Sequence, residues 1–268
     1  MHQRSLRLSI AMAEPSAYRV TLLENIDQLR QCLEIQRLAW GFSEADILPI
    51  RSLIICSKIG GQVFGAVDDG GQVLGFLNAF PGYRDGRVYL HSNMMGVLPE
   101  YQNHGIGRQL KLAQREEALS RGIDLVEWTF DPLEVRNARF NLELLGAICR
   151  TYLVNFYGVS SSRLHGGLPT DRLVAEWHLN SARVKSRLGS GPSPPTHSDG
   201  MVSLEIPLGI QHLKSTEPAA AGRIQSGVRE RMMELFERNF FASRLSIDAA
   251  GQKAIYFFES FKQINPVT

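Results

Sequence analysis

The residues with the clearest chemical meaning lie in a short glycine-containing loop between a predicted strand and a predicted helix. The loop, Gln102-Asn-His-Gly-Ile-Gly-Arg108, follows an apolar strand over Val88 to Val97 and opens a segment with Ile106 and Leu110 at helical spacing. A loop of this kind gathers backbone N–H groups at a helix N-terminus, where they bind an anion. Glycine leaves room there for a bound group and for the turn itself. The sequence therefore predicts a phosphate site.

Some classes of phosphate-binding protein are argued against by residues that this loop does not contain. It has no Gly-Lys-Ser/Thr, which argues against a P-loop NTPase, and no third glycine follows Gly107 at dinucleotide-fold spacing. Instead, Gln102-Asn-His-Gly105-Ile-Gly107 resembles the R/Q-x-x-G-x-G/A signature of the GNAT acyltransferase superfamily, which binds the pyrophosphate of acyl-coenzyme A (acyl-CoA). Pro99 and Arg108, on either side, agree with the resemblance. The alternative is a strand–helix turn that binds no ligand.

The resemblance implies a set of residues that contact the acyl-CoA donor. In the family, the strand before the loop splays from its neighbour and its backbone pairs with pantetheine, which places these groups here at Met95 and Val97. One of these N–H groups is also the predicted oxyanion donor. Asn137, near the start of the next helix, is predicted to hold the pantetheine or a phosphate. The predicted donor-binding residues are Met95, Gly96, Val97, Gln102, Asn103, His104, Gly105, Ile106, Gly107, Arg108 and Asn137.

Acyl transfer to an amine also needs a base, because an alkylammonium is mostly protonated near neutral pH. Tyr89, His91 and Asn93 alternate onto one face of the strand before the loop, and imidazole changes charge near neutral pH. His91 is the predicted base, directly or through water, and Glu127 is the second candidate. The segment from His91 to Val97 resembles the His-x-His-x-Leu-Ala-Val arrangement of the arylalkylamine branch, but keeps only its first histidine. A histidine satisfied by backbone or carboxylate is the alternative.

The proton that returns to the departing thiolate has a less obvious source. The family's frequent general acid is a tyrosine four residues before the glycine that ends the helix, and that position here is Leu142. Either the thiolate takes its proton from water, or Tyr152 or Tyr157 on the following strand supplies it. Asp131, before Pro132, is interpreted first as a helix cap and second as a residue that orients the substrate amine or the base.

The elements around these residues predict an α/β (α+β) fold with a mixed, mostly antiparallel twisted sheet flanked by helices. Their order (strand, two helices, three strands, helix, strand, helix, strand) resembles that of the GNAT fold. Asp68 to Gly71 is a strong hairpin signal, and Gly146 is a predicted helix C-cap. The predicted strands are 18–23, 62–67, 73–80, 88–97, 125–130 and 148–156, and the predicted helices are 24–40, 47–59, the helix after the loop, and 134–145.

The predicted GNAT-like domain covers residues 14–169, and residues 170–268 form a C-terminal α/β annex. The annex is predicted to contain a strand at 172–179, a proline-rich linker at 189–200, a strand at 202–206, an amphipathic helix at 218–240 and a hairpin at 243–258. The apolar face of its helix must be covered, either by the same chain, where it would shape the acceptor pocket, or by a second subunit.

The composition of the chain limits which partners, metals and cellular locations are predicted. A chain of 268 residues with 44% hydrophobic residues can bury a full core, and a net charge of +2 gives no sign of nucleic-acid or membrane-surface binding. The cysteines (Cys32, Cys56 and Cys149) have no metal spacing and are interpreted as reduced thiols, so no metal is predicted. An apolar run within Met1 to Ala13 is too short to span a membrane and is interpreted as a frayed leader of a cytoplasmic protein.

The sequence leaves three functions open. The first is an N-acyltransferase that moves an acetyl group from acetyl-CoA to a primary amine of a small molecule or amino acid by direct attack, with a homodimer as one assembly. The second uses another donor, such as succinyl-CoA. The third, favoured by Leu142 and the annex, is a non-catalytic acyl-CoA sensor.

Overall fold

The computed structural model describes residues 17–158, 167–191 and 201–261. The leader and residues 192–200 of the predicted linker lie outside these ranges. The elements in chain order are β1 (Tyr18–Leu22), α1 (Ile26–Trp40), α2 (Ile50–Lys58), β2 (Gln62–Asp68), β3 (Val73–Arg84), β4 (Arg87–Val97), α3 (Ile106–Ser120), β5 (Leu125–Phe130), α4 (Val135–Arg139), β6 (Ile148–Leu153), β7 (Arg172–His178), α5 (Ala182–Ser190), β8 (Val202–Pro207), α6 (Ile210–Thr216), α7 (Pro218–Glu237), β9 (Phe240–Asp248) and β10 (Lys253–Ser260).

The fold class agrees with the prediction: a mixed α/β chain whose sheet is mostly antiparallel and is flanked by helices. The order from β1 to β6 is also the predicted one. Among the described residues, unit 1 holds 17–80 and 94–116, and unit 2 holds 81–93 and the residues from 117 onwards. Strands β3 and β4 and helix α3 therefore each have residues in both units.

Unit 1 contains the antiparallel strands β1, β2 and β3, in that order. The predicted hairpin between β2 and β3 is confirmed: the Gly71 N–H donates to the Asp68 carbonyl at 3.1 Å, and Gly71 has a φ of 84°. Helix α1 begins where the Asn25 side chain accepts from the Asp27 N–H at 2.7 Å and ends at Gly41, whose φ of 67° is left-handed. Local capping thus sets the bounds of α1.

Two apolar clusters hold unit 1 together. One gathers buried residues of α1 and α2, among them Leu29, Ile35 and Leu53, with apolar residues of β2 and β3. The other contains Ile106 and Leu110, the two residues whose helical spacing marked the segment after the loop. Because both side chains are fully buried, the first turns of α3 are held in place just behind the glycine loop.

Unit 2 has the strand order β4-β5-β7-β6-β9-β10-β8. The β4–β5 ladder is parallel, and β7 runs antiparallel to both of its neighbours, β5 and β6. Helix α7 contacts β6, β8 and β9, and its apolar face (Val228, Met232 and Leu235) is buried within this unit. The possible homodimer and the division at residues 169 and 170 stay predictions. Strand β7, which begins just after residue 170, pairs with β5 on one edge and with β6 on the other.

Three features of unit 2 differ from the predicted elements. Helices α5 and α6 were not predicted, and α5 includes residues 189 and 190 of the predicted linker. The predicted helix over 134–145 is α4 followed by a π-helical turn, Phe140–Leu144, in which the Leu145 N–H donates to the Phe140 carbonyl at 3.0 Å. No helix in the described ranges has the length and apolarity needed to cross a membrane.

Candidate functional site

The predicted phosphate loop lies in unit 1 between a short 3₁₀ turn, Pro99–Tyr101, and the start of α3. Asn103 and Gly105 have left-handed φ values of 70° and 80°, and the Gln102 side chain donates to the Val97 carbonyl at 3.1 Å. Asparagine and glycine are the residues that adopt this conformation most readily. The backbone thus turns sharply into a helix N-terminus, which leaves its first N–H groups without helical acceptors.

The two glycines of the loop have different reasons to be glycine. A Cβ at Gly105 would meet nothing within 4 Å, so it is the left-handed φ that favours glycine there. A Cβ at Gly107 would meet only the Met95 side chain, with the methyl Cε at an ordinary 3.4 Å. At Gly105 the turn itself therefore favours glycine, as predicted, whereas at Gly107 an added Cβ does not meet the turn, which corrects the prediction at that position. Packing of the chain gives no reason for glycine at 107, whereas close approach of a ligand does.

Gly96 has a packing reason instead. A Cβ there would lie 2.9 Å from Cη2 of Trp40 and 3.2 Å from Cγ2 of Ile35, both on α1. The glycine is therefore explained by the approach of α1 to β4. Its role beside pantetheine stays a prediction, because it concerns the backbone rather than the missing side chain.

His104 carries a polar atom that the described residues do not satisfy. Its Nδ1 is buried and has no hydrogen-bond partner among the described residues. Leaving a buried polar atom in this state costs about 1–3 kcal/mol. A hydrogen-bonding ligand at the loop would remove this cost, which supports the predicted binding role of His104.

A buried polar cluster supports the helix behind the loop. Lys111 Nζ donates to Oε1 of Gln114 at 3.0 Å, and Nε2 of Gln114 donates to Oε1 of Gln62 at 3.0 Å. Burial holds the pKa of Lys111 well below its ordinary value. The cluster links α3 to β2, and no local pattern could reveal it because Gln62 and Gln114 are 52 residues apart.

The two predicted bases lie side by side in unit 2. In the parallel β4–β5 ladder His91 is the register partner of Glu127, and in the β5–β7 ladder Glu127 is the partner of Glu176. Register partners point to the same face of a sheet. His91, Glu127 and Glu176 therefore form a row of titratable side chains across three strands. The two carboxylates are buried, and His91 is half-buried.

Arg84, which sequence reasoning missed, holds the Glu127 carboxylate. Its Nη1 donates to one carboxylate oxygen of Glu127 at 3.2 Å, and its Nη2 donates to the other. The guanidinium also lies 4.9 Å from the ring centroid of Tyr89, and that ring occupies the space that a Cβ at Gly82 would need. The forked hydrogen bonds and the stacking fix the direction of Glu127. Arg84 and Glu127 are 43 residues apart, so no local pattern could reveal the pair.

Glu176, at the far end of the row, is held by Arg150 and His178. Arg150 Nε donates to its carboxylate at 2.8 Å, and His178 Nε2 lies 3.4 Å from it. Burial by itself raises the pKa of Glu176, but the hydrogen bonds and charges of His178 and Arg150 outweigh burial and lower the pKa from its ordinary value of 4.5.

This lowered pKa predicts an acid-dependent loss of stability. Since the folded-state pKa of Glu176 lies below the unfolded value, its ionised form stabilises the fold above about pH 4.5, and this contribution disappears as the pH falls through the folded pKa. The free energy of unfolding, measured in urea across this range, should fall less steeply with decreasing pH in Glu176→Gln than in the wild type. Glu205→Gln, at an exposed pair with Lys253, is the control. Parallel curves for wild type and Glu176→Gln would contradict the prediction.

The two tyrosines considered as acids have different surroundings. The buried Tyr152 hydroxyl donates to Asp171 at 2.7 Å, and Arg229 also donates to that carboxylate. Burial first, and then Asp171, raise the pKa of Tyr152. The Tyr157 hydroxyl shares a hydrogen bond of 2.9 Å with Thr129 on β5, and its side chain is half-exposed. Leu142 is buried in the core, as expected of a leucine. The role of Tyr152 as acid stays a prediction.

Asp131 is not the helix cap that was predicted first, because the N-cap position of α4 is Glu134 and no side chain caps this helix. Its Oδ1 accepts from the Leu133 N–H at 2.8 Å, in the turn that leads into α4. Its Oδ2 lies 3.0 Å from the ammonium of Lys214 on α6. Both oxygens are thus engaged in structure. Asn137, in the middle of α4, has an exposed side chain, and its role toward the donor stays a prediction.

Comparison with known families decides the identity of this arrangement. Residues 60–140 match the family model described as an acetyltransferase (GNAT) domain, a range that contains His91, the glycine loop and Asn137. Residues 60–140 therefore carry a GNAT acetyltransferase domain. This match supports an acyltransferase of the GNAT type, a fold that binds acyl-CoA.

Solved structures are similar to about three fifths of this chain. A protein of Acinetobacter baylyi ADP1 assigned as an acetyltransferase is 16% identical, with a TM-score of 0.50 over 61% of this chain and 93% of that one. The ribosomal-protein-S18-alanine N-acetyltransferase of Escherichia coli is 18% identical, with a TM-score of 0.47 over 61% and 94%. Arabidopsis thaliana NAA60 is 14% identical, with a TM-score of 0.48 over 60% and 97%. The comparison with curated proteins gave no match.

Proposed function

We propose that this GNAT enzyme transfers the acetyl group of acetyl-CoA to a primary amine of a small molecule or amino acid, by direct attack of the amine on the thioester. The observation that carries the proposal is the pairing of His91 with Glu127 on adjacent strands of unit 2. A half-buried imidazole beside a fixed carboxylate is suited to accept a proton near neutral pH.

The glycine loop of unit 1 supports the donor part of the proposal. Its left-handed turn at Gly105, the room beside Gly107 and the unsatisfied Nδ1 of His104 are features that a phosphate-bearing ligand explains. Arg108 adds a cation in the first turn of α3. Met95, whose side chain lies beside the Cβ direction of Gly107, is placed to contact the same ligand.

Of the two predicted bases, the contacts favour His91. Each oxygen of Glu127 accepts a hydrogen bond from Arg84, and this arrangement leaves the carboxylate no simple route to an ammonium. Glu127 instead provides a negative charge beside His91, which stabilises the imidazolium formed when His91 accepts a proton. We therefore assign proton removal to His91 and electrostatic support to Glu127.

The proton needed by the departing thiolate then has two sources. Tyr157 has a half-exposed side chain, whereas the Tyr152 hydroxyl is buried and already donates to Asp171. Between these two side chains Tyr157 is the better placed to meet a substrate. Protonation of the thiolate by water remains the alternative for an enzyme with leucine at position 142.

Release of free thiol from acetyl-CoA, measured with a panel of amines, amino acids and alcohols, tests the proposal. We expect thiol release that depends on a primary amine and gives an N-acetyl product by mass spectrometry. The same assay is run with succinyl-CoA as the donor for comparison. Faster turnover with succinyl-CoA than with acetyl-CoA would overturn the assignment of the acetyl group. Transfer to alcohols with none to amines would overturn the acceptor class.

A further inference from the structure

The short segment that leads from β5 into α4 is held by side chains far along the chain. Tyr256 of β10 donates from its hydroxyl to the Pro132 carbonyl at 2.8 Å, and Gln211 of α6 donates to the Leu133 carbonyl at 3.4 Å. Lys214, also on α6, donates to Asp131 at 3.0 Å. Three consecutive residues before α4 therefore each receive a hydrogen bond from the part of the chain after residue 200.

Lys214 is central to these contacts. Only 3% of its side chain is exposed, and its ammonium lies 3.7 Å from a carboxylate oxygen of Glu134 as well as 3.0 Å from Asp131. Burial raises the pKa of Glu134, while the charge of Lys214 opposes that rise. A buried cation between two carboxylates fixes all three groups, because loss of the cation would leave two buried acids together.

The other end of the same helical segment is held in a similar way. Glu143, in the π-helical turn that follows α4, accepts from the backbone N–H of Leu245 on β9 at 2.9 Å. Arg187 of α5 lies 3.3 Å and Arg244 of β9 3.6 Å from its carboxylate. The stretch from α4 through the π-helical turn is therefore bracketed at both ends by residues of the predicted annex.

Such a bracket matters because α4 cannot define its own direction. It has only five residues before the π-helical turn, and isolated helices shorter than about 12 residues are marginal in water. Its direction is therefore set by contacts at its ends. The exposed Asn137, which is predicted to hold the donor, lies between those contacts.

We propose that Lys214 and Tyr256 are positioning residues for acyl-CoA binding, which act by fixing α4 and thereby the direction of Asn137. The proposal rests on the proposed function, since it concerns binding of the same donor. It gives the predicted annex a role in donor binding that the glycine loop alone does not reveal.

The experiment compares Lys214→Met and Tyr256→Phe with Lys253→Met, which removes a lysine from an exposed pair with Glu205. Three quantities are measured in the full-length chain: kinetic constants for acetyl-CoA and for an amine, calorimetric affinity for free CoA, and hydrogen exchange of the α4 amides. For Lys214→Met we expect KM for acetyl-CoA and Kd for CoA to rise at least about tenfold, with KM for the amine and kcat at saturating donor within about twofold. Tyr256→Phe should change the same quantities in the same direction.

Exchange of the Ala138 and Phe140 amides should be faster in Lys214→Met than in the wild type, unchanged in Lys253→Met, and restored towards wild type in Lys214→Arg. A folded Lys214→Met whose α4 amides exchange faster but whose affinity for CoA is unchanged would overturn the proposal that fixing α4 supports donor binding. If hydrogen exchange of the α4 amides is unchanged in Lys214→Met, the claim that Lys214 fixes α4 is overturned. If Lys214→Met does not fold, Tyr256→Phe decides, because it removes one hydroxyl and retains the ring. A wild type that binds CoA but transfers nothing to amines would count against the proposed function alone.

Discussion

Gly107→Val is expected to abolish donor binding while leaving the fold intact. An added Cβ at this position meets only the flexible end of Met95 at an ordinary contact distance, so the protein itself has room for a side chain. A ligand whose phosphates lie against the loop backbone does not. We expect the Kd for acetyl-CoA, measured by calorimetry, to rise at least about a hundredfold, which corresponds to about 3 kcal/mol.

The matched control for this change is Gly227→Val. Gly227 is also helical, and a Cβ there meets nothing within 4 Å; Gly227 is exposed, whereas Gly107 is half-buried. Both variants should keep the thermal stability of the wild type within a few degrees, while only Gly107→Val loses the donor. A folded Gly107→Val that binds acetyl-CoA as the wild type does would remove the assignment of the loop as the donor site.

His91→Ala is expected to lower kcat by about a hundredfold or more, the usual effect of losing a general base. Donor affinity should change little, because His91 is not among the residues predicted to contact the donor. The decrease should be largest near neutral pH, where the unprotonated imidazole performs the function, and should shrink at alkaline pH, where more of the amine is already deprotonated. Steady-state rates between about pH 6 and pH 9 measure both effects.

Glu127→Gln distinguishes the two bases. If His91 removes the proton and Glu127 only supports its charge, the glutamine variant should retain a larger share of kcat than His91→Ala. Arg84→Met provides a second comparison, since it releases the Glu127 carboxylate without altering it. A His91→Ala rate near that of the wild type throughout the pH range, together with a large loss in Glu127→Gln, would transfer the role of base to Glu127.

The parts of this molecule that the sequence predicts well are those determined by neighbouring residues. Asp68 to Gly71 joins two strands because glycine at 71 accepts a left-handed turn, and Gly146 ends the helical segment with a φ of 75°. The alternation of Tyr89 and His91 along β4 places His91 on a defined face. The turn of the glycine loop is the clearest case, since the left-handed φ of Gly105 depends only on neighbouring backbone groups.

The parts that escape prediction depend on residues far apart in sequence. Arg84 reaches Glu127 and Lys214 reaches Asp131 across a sheet whose order is not the order of the chain. Helix α5 had a local signal, because the Ser181 side chain accepts from the Val184 N–H. Its run of glycine and serine before the prolines of the linker concealed it. The π-helical turn has no local signal, since Glu143 is held by β9 and α5 rather than by its neighbours.

The place of β7 between β5 and β6 has a consequence for synthesis of the chain. During translation β5 and β6 leave the ribosome first, and neither can gain this neighbour until His178 has also emerged. Until then each strand presents an open edge, the kind of surface at which nascent chains associate wrongly. The 60–140 stretch that matches the family model ends before that strand, so we do not expect it to fold as a separate piece. Expression of this stretch alone is expected to be a poor route to a stable fragment.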